Sequence, residues 1–142
     1  MNDPKKVVTD VFTSLAKGNA EQAEKQFADD FKTTVMNMPV DKRQYISAFK
    51  SLRQGIPDLQ INLHDVEAKG DKVHAFLNLS GTHSAEIPSD VPGFKKMTPS
   101  GKKIHADDVE LEISMMDDRI KEIRSVNTGK GVFNQIFTQL AN

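Results

Sequence analysis

The sequence predicts an α+β domain, in which N-terminal helices cover a curved antiparallel sheet and a C-terminal helix follows the last strand. Apolar residues recur at helical spacing up to Gly55, alternate with polar residues after Pro57, and return to helical spacing from Val132 to Leu140. Helices grouped before a run of hairpin-linked strands are typical of an α+β domain rather than of a parallel α/β sheet.

The first two helices are predicted from their capping residues. Asp3 and Pro4 are a typical N-cap and first helical residue, and Gly18 ends this helix. Asn19 and Gln22 form a capping-box pattern that opens a shorter second helix. The apolar positions of the second helix are Ala20, Ala23 and Phe27.

Two further helices flank the strands. A third helix is predicted to begin after Asp41, which pairs with Gln44 in a second capping box, and to end at Gly55. The Thr- and Val-rich segment 31–38 before it has the composition of an extended chain. The C-terminal helix is amphipathic, with an apolar face formed by Val132, Phe133, Ile136, Phe137 and Leu140.

A period of two between residues 59 and 123 predicts four strands joined mostly by tight turns. A change of apolar phase near His64 predicts a bulge that bends the first of these strands. Residues 69–71 and 117–118 have the composition of hairpin turns. The proline-rich segment 85–100 is predicted to be a long irregular loop of the kind that often borders a functional site.

Composition restricts the class of protein. With 142 residues the chain is expected to form one domain, 1–142. Cysteine is absent, which excludes disulfides, Cys-ligated metals and thiol nucleophiles, and the four His lack the spacing of a metal motif. The 19 basic and 20 acidic residues nearly cancel and form no basic cluster, so a nucleic acid is not an expected partner. Without a long apolar run, no membrane is expected either, and a cytoplasmic location is the expectation.

Short motifs resemble those of one known family. Residues 55–59 (GIPDL), 68–73 (AKGDKV), 80–86 (SGTHSAE) and 98–103 (TPSGKK) are similar, in order and spacing, to motifs of the SnoaL-like polyketide cyclase or ester cyclase family. The resemblance covers residues 9–140 and implies the nuclear transport factor 2-like fold, a cone with a deep pocket. It also implies a homodimer and the absence of a metal or organic cofactor. The best-known members close a polyketide ring by aldol condensation, using an acidic side chain in the pocket as general acid/base.

His83 is the first candidate for a functional side chain. Counting by twos from Val73 places it on the inward, apolar face of its strand. A neutral imidazole facing a pocket could hold a substrate carbonyl or transfer a proton near neutral pH. The alternative is a structural histidine that bonds a loop carbonyl and fixes residues 85–100.

Other side chains are expected to line the pocket and bind substrate. Asn37, where similar proteins often carry His or Asn, could bind an enolate or carbonyl oxygen; the alternative is a turn residue before Pro39. Tyr45 could reach the pocket with its hydroxyl, or pack in the helix with a solvated tip. We expect a closed cavity bounded by Phe12, Phe31, Tyr45, Phe49, Leu77 and Leu111.

The position of a catalytic acid depends on strand parity. The resemblance implies an inward carboxylate at the position where parity places Leu111. His105 and Asp107 share the inward parity nearer the start of the strand, whereas a bulge would bring Asp108 inward instead. We therefore predict Asp107 or Asp108 as the proton-transfer group, assisted by His83, with a pKa raised by burial. The alternative is that this acidic run is the solvated edge of an amphipathic strand.

The function that the sequence favours is binding of a small apolar carbonyl compound, with aldol-type cyclisation or isomerisation as the reaction. Two alternatives use the same fold: a non-catalytic ligand-binding protein and a dimerisation module that contacts its partner through the outer sheet face. A pocket without a buried carboxylate would favour the first alternative. A cavity filled by side chains would favour the second.

Overall fold

The computed structural model describes residues 3–35, 38–88, 96–126 and 132–141. The predicted α+β class is confirmed, with helices before a curved, unclosed sheet and a helix after it. In chain order the elements are α1 (Pro4–Lys17), α2 (Ala20–Glu24), β1 (Phe27–Val35), β2 (Met38–Val40), α3 (Lys42–Gly55), β3 (Gln60–Lys69), β4 (Lys72–Thr82), β5 (Lys103–Met116), β6 (Arg119–Ser125) and α4 (Val132–Ala141).

The described strands form one six-stranded sheet in the order β2-β1-β6-β5-β4-β3. The predicted meander β3–β4–β5–β6 is antiparallel throughout. Among the described strand pairs, β1 with β6 is parallel, which differs from the purely antiparallel sheet expected. These two strands are far apart in the chain, so no hairpin fixes their relative direction.

Most of the predicted helix ends are confirmed. The Asp3 carboxylate accepts a hydrogen bond from the Lys5 amide at 3.0 Å, and Gly18 ends α1 in the left-handed conformation with φ 79°. At α3, Asp41 and Gln44 form both bonds of the capping box, at 2.9 and 3.0 Å.

The prediction for α2 is wrong in two respects. Asn19 makes no side-chain capping bond to any described residue, and the helix ends at Glu24. Phe27 belongs instead to β1, where its ring centroid lies 4.6 Å from that of Phe31 and 6.1 Å from that of Tyr45. Five residues are too few to stabilise a helix by themselves, so these aromatic contacts determine the conformation at Phe27.

Bulges bend the sheet at two places near the predicted site. The register of β3 against β4 shifts between His64 and Glu67, and Asp65 there has a φ of 51°, which confirms the bulge predicted near His64. A second shift lies in β5, where Asp107 and Asp108 together stand opposite the single residue Asn78. Each bulge reverses which side chains of its strand face the helices.

Gly55 has a different role from the one predicted. It is the last residue of α3, and the left-handed conformation typical of a helix-ending glycine is not found there. A Cβ at this position would instead lie well under 3.0 Å from the side chain of Ile87. The backbone of Gly55 also accepts a hydrogen bond from Ala85 at 3.1 Å. Glycine therefore lets the segment after β4 pack directly against α3.

Candidate functional site

The interior between the helices and the sheet is dominated by aromatic rings. All six residues predicted to bound a cavity are buried, which confirms their inward orientation: Phe12, Phe31, Tyr45, Phe49, Leu77 and Leu111. The Tyr45 ring lies 5.2 Å from that of Phe49 and 5.5 Å from that of Phe31, and Phe49 meets Phe12 edge-on at 6.2 Å. The ligand-sized void among these side chains stays a prediction.

Tyr45 places a hydroxyl group in this apolar interior. Tyr45 is 4% exposed, and its ring packs among the other aromatic side chains. Burial raises the pKa of the Tyr45 phenol, because the phenolate would lose its hydration. Tyr45 is therefore neutral at physiological pH and can donate a hydrogen bond.

His83 is fully buried, on the same face of β4 as Leu77 and Leu79. Its backbone amide donates to the Lys102 carbonyl at 2.8 Å, and its carbonyl accepts from the Gly101 amide at 2.7 Å. These bonds continue the β4–β5 pairing past the end of β4 and fix where the side chain points. The inward orientation predicted for His83 is confirmed.

The His83 ring is oriented by one hydrogen bond. Its Nδ1 lies 2.8 Å from the Ser100 Oγ, which also accepts a hydrogen bond from the Lys102 amide at 3.3 Å. The other ring nitrogen, Nε2, is buried and has no hydrogen-bond partner in the part of the chain that the structure describes. An unsatisfied buried polar atom costs about 1–3 kcal/mol of stability. His83 therefore has one fixed ring nitrogen that is buried and unpartnered among the described residues.

The inward orientation expected for His105 and Asp107 is wrong, and the β5 bulge is the reason. Ile104 and Ala106 take the inward positions before the bulge, and Val109 takes the inward position after it. The side chains of His105 and Asp107 are consequently 64% and 87% exposed. Both candidate acids lie outside the interior, since the bulge places Asp107 and Asp108 in succession on the exposed side.

Asp108 belongs to a polar network on the outer face of the sheet. It accepts hydrogen bonds from Asn78 at 2.7 Å and from His64 Nε2 at 3.0 Å. The Asn78 and His64 hydrogen bonds lower the pKa of Asp108, whereas a general base in a pocket would need a raised one. The same contact with Asp108, together with one from Asp65, raises the pKa of His64.

Some candidate residues remain to be placed. Asn37 lies outside the described residues. Phe49 and Leu111 belong to the buried wall, as predicted. Sequence reasoning missed Ser100 as the partner of His83, although Ser100 lies in the segment 98–103 that carried part of the family resemblance.

Within the described residues there is no group of three His, Asp or Glu side chains that could hold a metal ion. No described helix is long and apolar enough to cross a membrane.

Helices packed on a curved, unclosed sheet, with a further helix at the C-terminus, give the chain the cone-shaped nuclear transport factor 2-like fold. The chain belongs to the SnoaL-like polyketide cyclase family, whose sequence profile matches residues 6–136. No curated protein matches the sequence.

Several solved structures share this fold. AclR, a proposed hydroxylase from Streptomyces galilaeus, is 16% identical, with a TM-score of 0.73 over 97% of this chain and 95% of that chain. A proposed SnoaL-like polyketide cyclase from Jannaschia sp. CCS1 is 20% identical, with a TM-score of 0.69 over 94% of this chain and 90% of that chain. IdmH, a proposed polyketide cyclase from Streptomyces antibioticus, is 18% identical, with a TM-score of 0.68 over 99% of this chain and 100% of that chain.

Proposed function

We propose that the interior of the domain binds a small, mostly apolar carbonyl compound and that His83 is its main polar contact. The main support for this proposal is the Nε2 atom of His83, which is buried and has no hydrogen-bond partner among the described residues. A buried polar atom without a partner destabilises the fold, and a binding or catalytic role is one reason for a protein to keep it. The aromatic residues around Tyr45 supply the apolar surface that such a ligand needs.

The reaction we propose is removal of a proton next to the carbonyl, followed by aldol-type ring closure or by isomerisation. When Nδ1–H of His83 donates a hydrogen bond to the Ser100 Oγ, Nε2 has a free lone pair. Nε2 can then take the proton as the base and return it to the alkoxide formed by ring closure, or to the new carbon position in an isomerisation. The neutral Tyr45 hydroxyl is a donor suited to an enolate oxygen. A role for Asp107 or Asp108 in proton transfer stays a prediction, which their exposed positions do not favour.

The family name and the description of IdmH support carbonyl compounds of the polyketide type as ligands. Polyketide chains carry several carbonyl groups, and the hydrogens between two carbonyls are acidic enough for an imidazole base. We therefore propose this class as the substrate of the site.

One observation favours the second candidate function, a non-catalytic ligand-binding protein. The buried polar side chains among the described residues are Ser14, Ser51 and His83, so this set contains no carboxylate. A protein that uses His83 only to hold a carbonyl oxygen needs no acid. The two functions differ in whether a bound ketone exchanges its hydrogens.

The test uses 2-tetralone, a two-ring ketone, as the probe. In deuterium oxide, proton NMR measures both its binding and the rate at which the hydrogens beside its carbonyl exchange. An enzyme should accelerate this exchange, and His83→Gln should abolish the acceleration. The matched control is His105→Gln, the same change at an exposed histidine, which should leave the rate unchanged. Binding without acceleration would identify a binding protein, and no binding would refute the proposal.

We also propose that the protein is a homodimer formed through the outer face of the sheet. Phe76 on this face is half-buried and stacks on His64 at 5.7 Å, so it offers apolar surface among polar groups. Sedimentation should give a mass near twice the chain mass of 15.8 kDa. A monomer at micromolar concentration would contradict this proposal.

A further inference from the structure

Helix α4 is attached to the edge of β5 by two glutamine side chains. Gln139 accepts a hydrogen bond from the His105 amide at 3.0 Å and donates one to the His105 carbonyl at 2.6 Å. Gln135 makes the same pair of bonds with Asp107, at 2.8 and 3.3 Å. Each side-chain amide thus takes the place that the backbone of a neighbouring strand would occupy.

This edge needs such partners because β6 does not reach it. The described pairing of β6 with β5 runs from Leu111 to Met116, so no described strand pairs with the earlier part of β5 on that side. Backbone amides and carbonyls left without a partner at a covered edge are costly. The two glutamines satisfy both groups of His105 and both groups of Asp107.

The spacing of the contacts is specific to one placement of α4. Gln135 and Gln139 are one helical turn apart, about 6 Å along the helix axis. His105 and Asp107 are two residues apart on a strand, roughly 6.7 Å. These distances match when the helix runs antiparallel to the strand, as observed. A slide of one residue would rotate the helix by about 100° and break all four bonds.

Placement matters because α4 contributes a wall of the interior. Phe133 lies 5.1 Å from the Phe49 ring and 6.4 Å from the Tyr45 ring. The apolar face of α4 is buried, but apolar burial is non-directional and does not by itself select one register. The glutamine bonds are directional and add a constraint on the register of α4.

We propose that Gln135 and Gln139 are positioning residues, which hold α4 in one register so that Phe133 limits the size of molecule that the interior accepts. This proposal rests on the proposed function for the identity of the site. The placement of α4 itself can be tested without any ligand, so the two proposals can fail separately.

The test of placement is amide hydrogen exchange in Gln139→Met and Gln135→Met, since methionine keeps the shape of glutamine but makes neither bond. Gln139→Met should accelerate exchange at His105 by about five- to tenfold and leave Asp107 nearly unchanged, and Gln135→Met should do the reverse. A merely global loss of stability would accelerate both amides alike. The matched control is Gln54→Met, at an exposed position on α3. Equal acceleration at both amides, or none at either, would overturn the proposal.

The test of size selection compares 2-tetralone with the three-ring ketone 9-fluorenone. The wild type should bind the smaller ketone more tightly, and the double variant Gln135→Met/Gln139→Met should reduce this preference at least severalfold. Gln139→Met alone should act in the same direction if the double variant does not fold. An unchanged ratio of affinities would overturn the role in selection. If the wild type binds neither ketone, the proposed function and the size role both fail, and the exchange pattern still decides how α4 is held.

Discussion

Replacing His83 with leucine should stabilise the protein while removing the proposed contact with the ligand. The change removes Nε2, which has no partner in the part of the chain that the structure describes and whose burial costs about 1–3 kcal/mol, and it fills a similar volume with apolar atoms. It also removes the bond between Nδ1 and the Ser100 Oγ, which contributes about 0.5–1.5 kcal/mol. Ser100 is exposed, so water can replace the lost partner. We expect a net gain of about 1 kcal/mol in the free energy of unfolding.

The assay is urea unfolding, supported by a thermal scan in which this gain corresponds to a rise of about 3–4 °C in Tm. Ser100→Ala is the control, because it removes the same hydrogen bond but leaves the whole buried imidazole in place. It should destabilise the protein, while His83→Leu should not. If His83→Leu lowers the free energy of unfolding by more than about 1 kcal/mol, His83 is a structural residue. Its Nε2 atom would then give no support for a ligand contact.

Three further predictions follow from the exposed network, the bulge and the close packing of α3. Asp107→Asn and Asp108→Asn should each leave the 2-tetralone exchange rate within about twofold of wild type, since loss of a true acid/base group costs about 10²–10⁴-fold; a larger loss in either variant would restore that acid as a candidate. The pKa of His64 is raised in the folded state, so protonated His64 should stabilise the protein below the unfolded pKa of 6.5. This stabilisation should be lost as the pH rises through the folded pKa. Urea unfolding at a series of pH values should show the decrease in wild type and a smaller one in Asp108→Asn. Gly55→Ala should lower the free energy of unfolding by about 1–3 kcal/mol because its Cβ would overlap Ile87; an unchanged urea midpoint would show that Ile87 adapts freely.

The parts of the fold that depend on local chemistry could be predicted from the sequence. Asp3 and Asp41 cap their helices by bonding to backbone amides two or three residues further along the chain. The local sequence pattern is therefore enough to predict these caps. The inward position of His83 followed from uninterrupted alternation along β4, which the structure retains. Phe27 was misassigned because a spacing of four from Ala23 fits a helix, whereas its aromatic contacts in β1 determine the outcome.

The candidate acids were misplaced because one bulge reverses strand parity. Alternation counted back from Leu111 correctly gives Val109 as an inward residue. Before Val109 it gives the wrong residues, because Ala106 and Ile104 are the buried ones there. The sequence does carry a sign of this, since the apolar residues Ile104 and Val109 fall on opposite parities. The hydrogen bonds of Gln135 and Gln139 with β5 could not be predicted from a comparable sequence pattern. They depend on which part of the β5 edge is left uncovered by β6.

The proposed ligand contact of His83 can be observed by nitrogen NMR of protein labelled with ¹⁵N-histidine and titrated with 2-tetralone. The Nε2 resonance of His83 should shift in a saturable way. The exposed His105 and the partly exposed His64 and His74 serve as internal controls and should stay unchanged. Saturable binding of 2-tetralone with no change at His83, or shifts confined to the other histidines, would show that His83 is not the polar contact of the ligand.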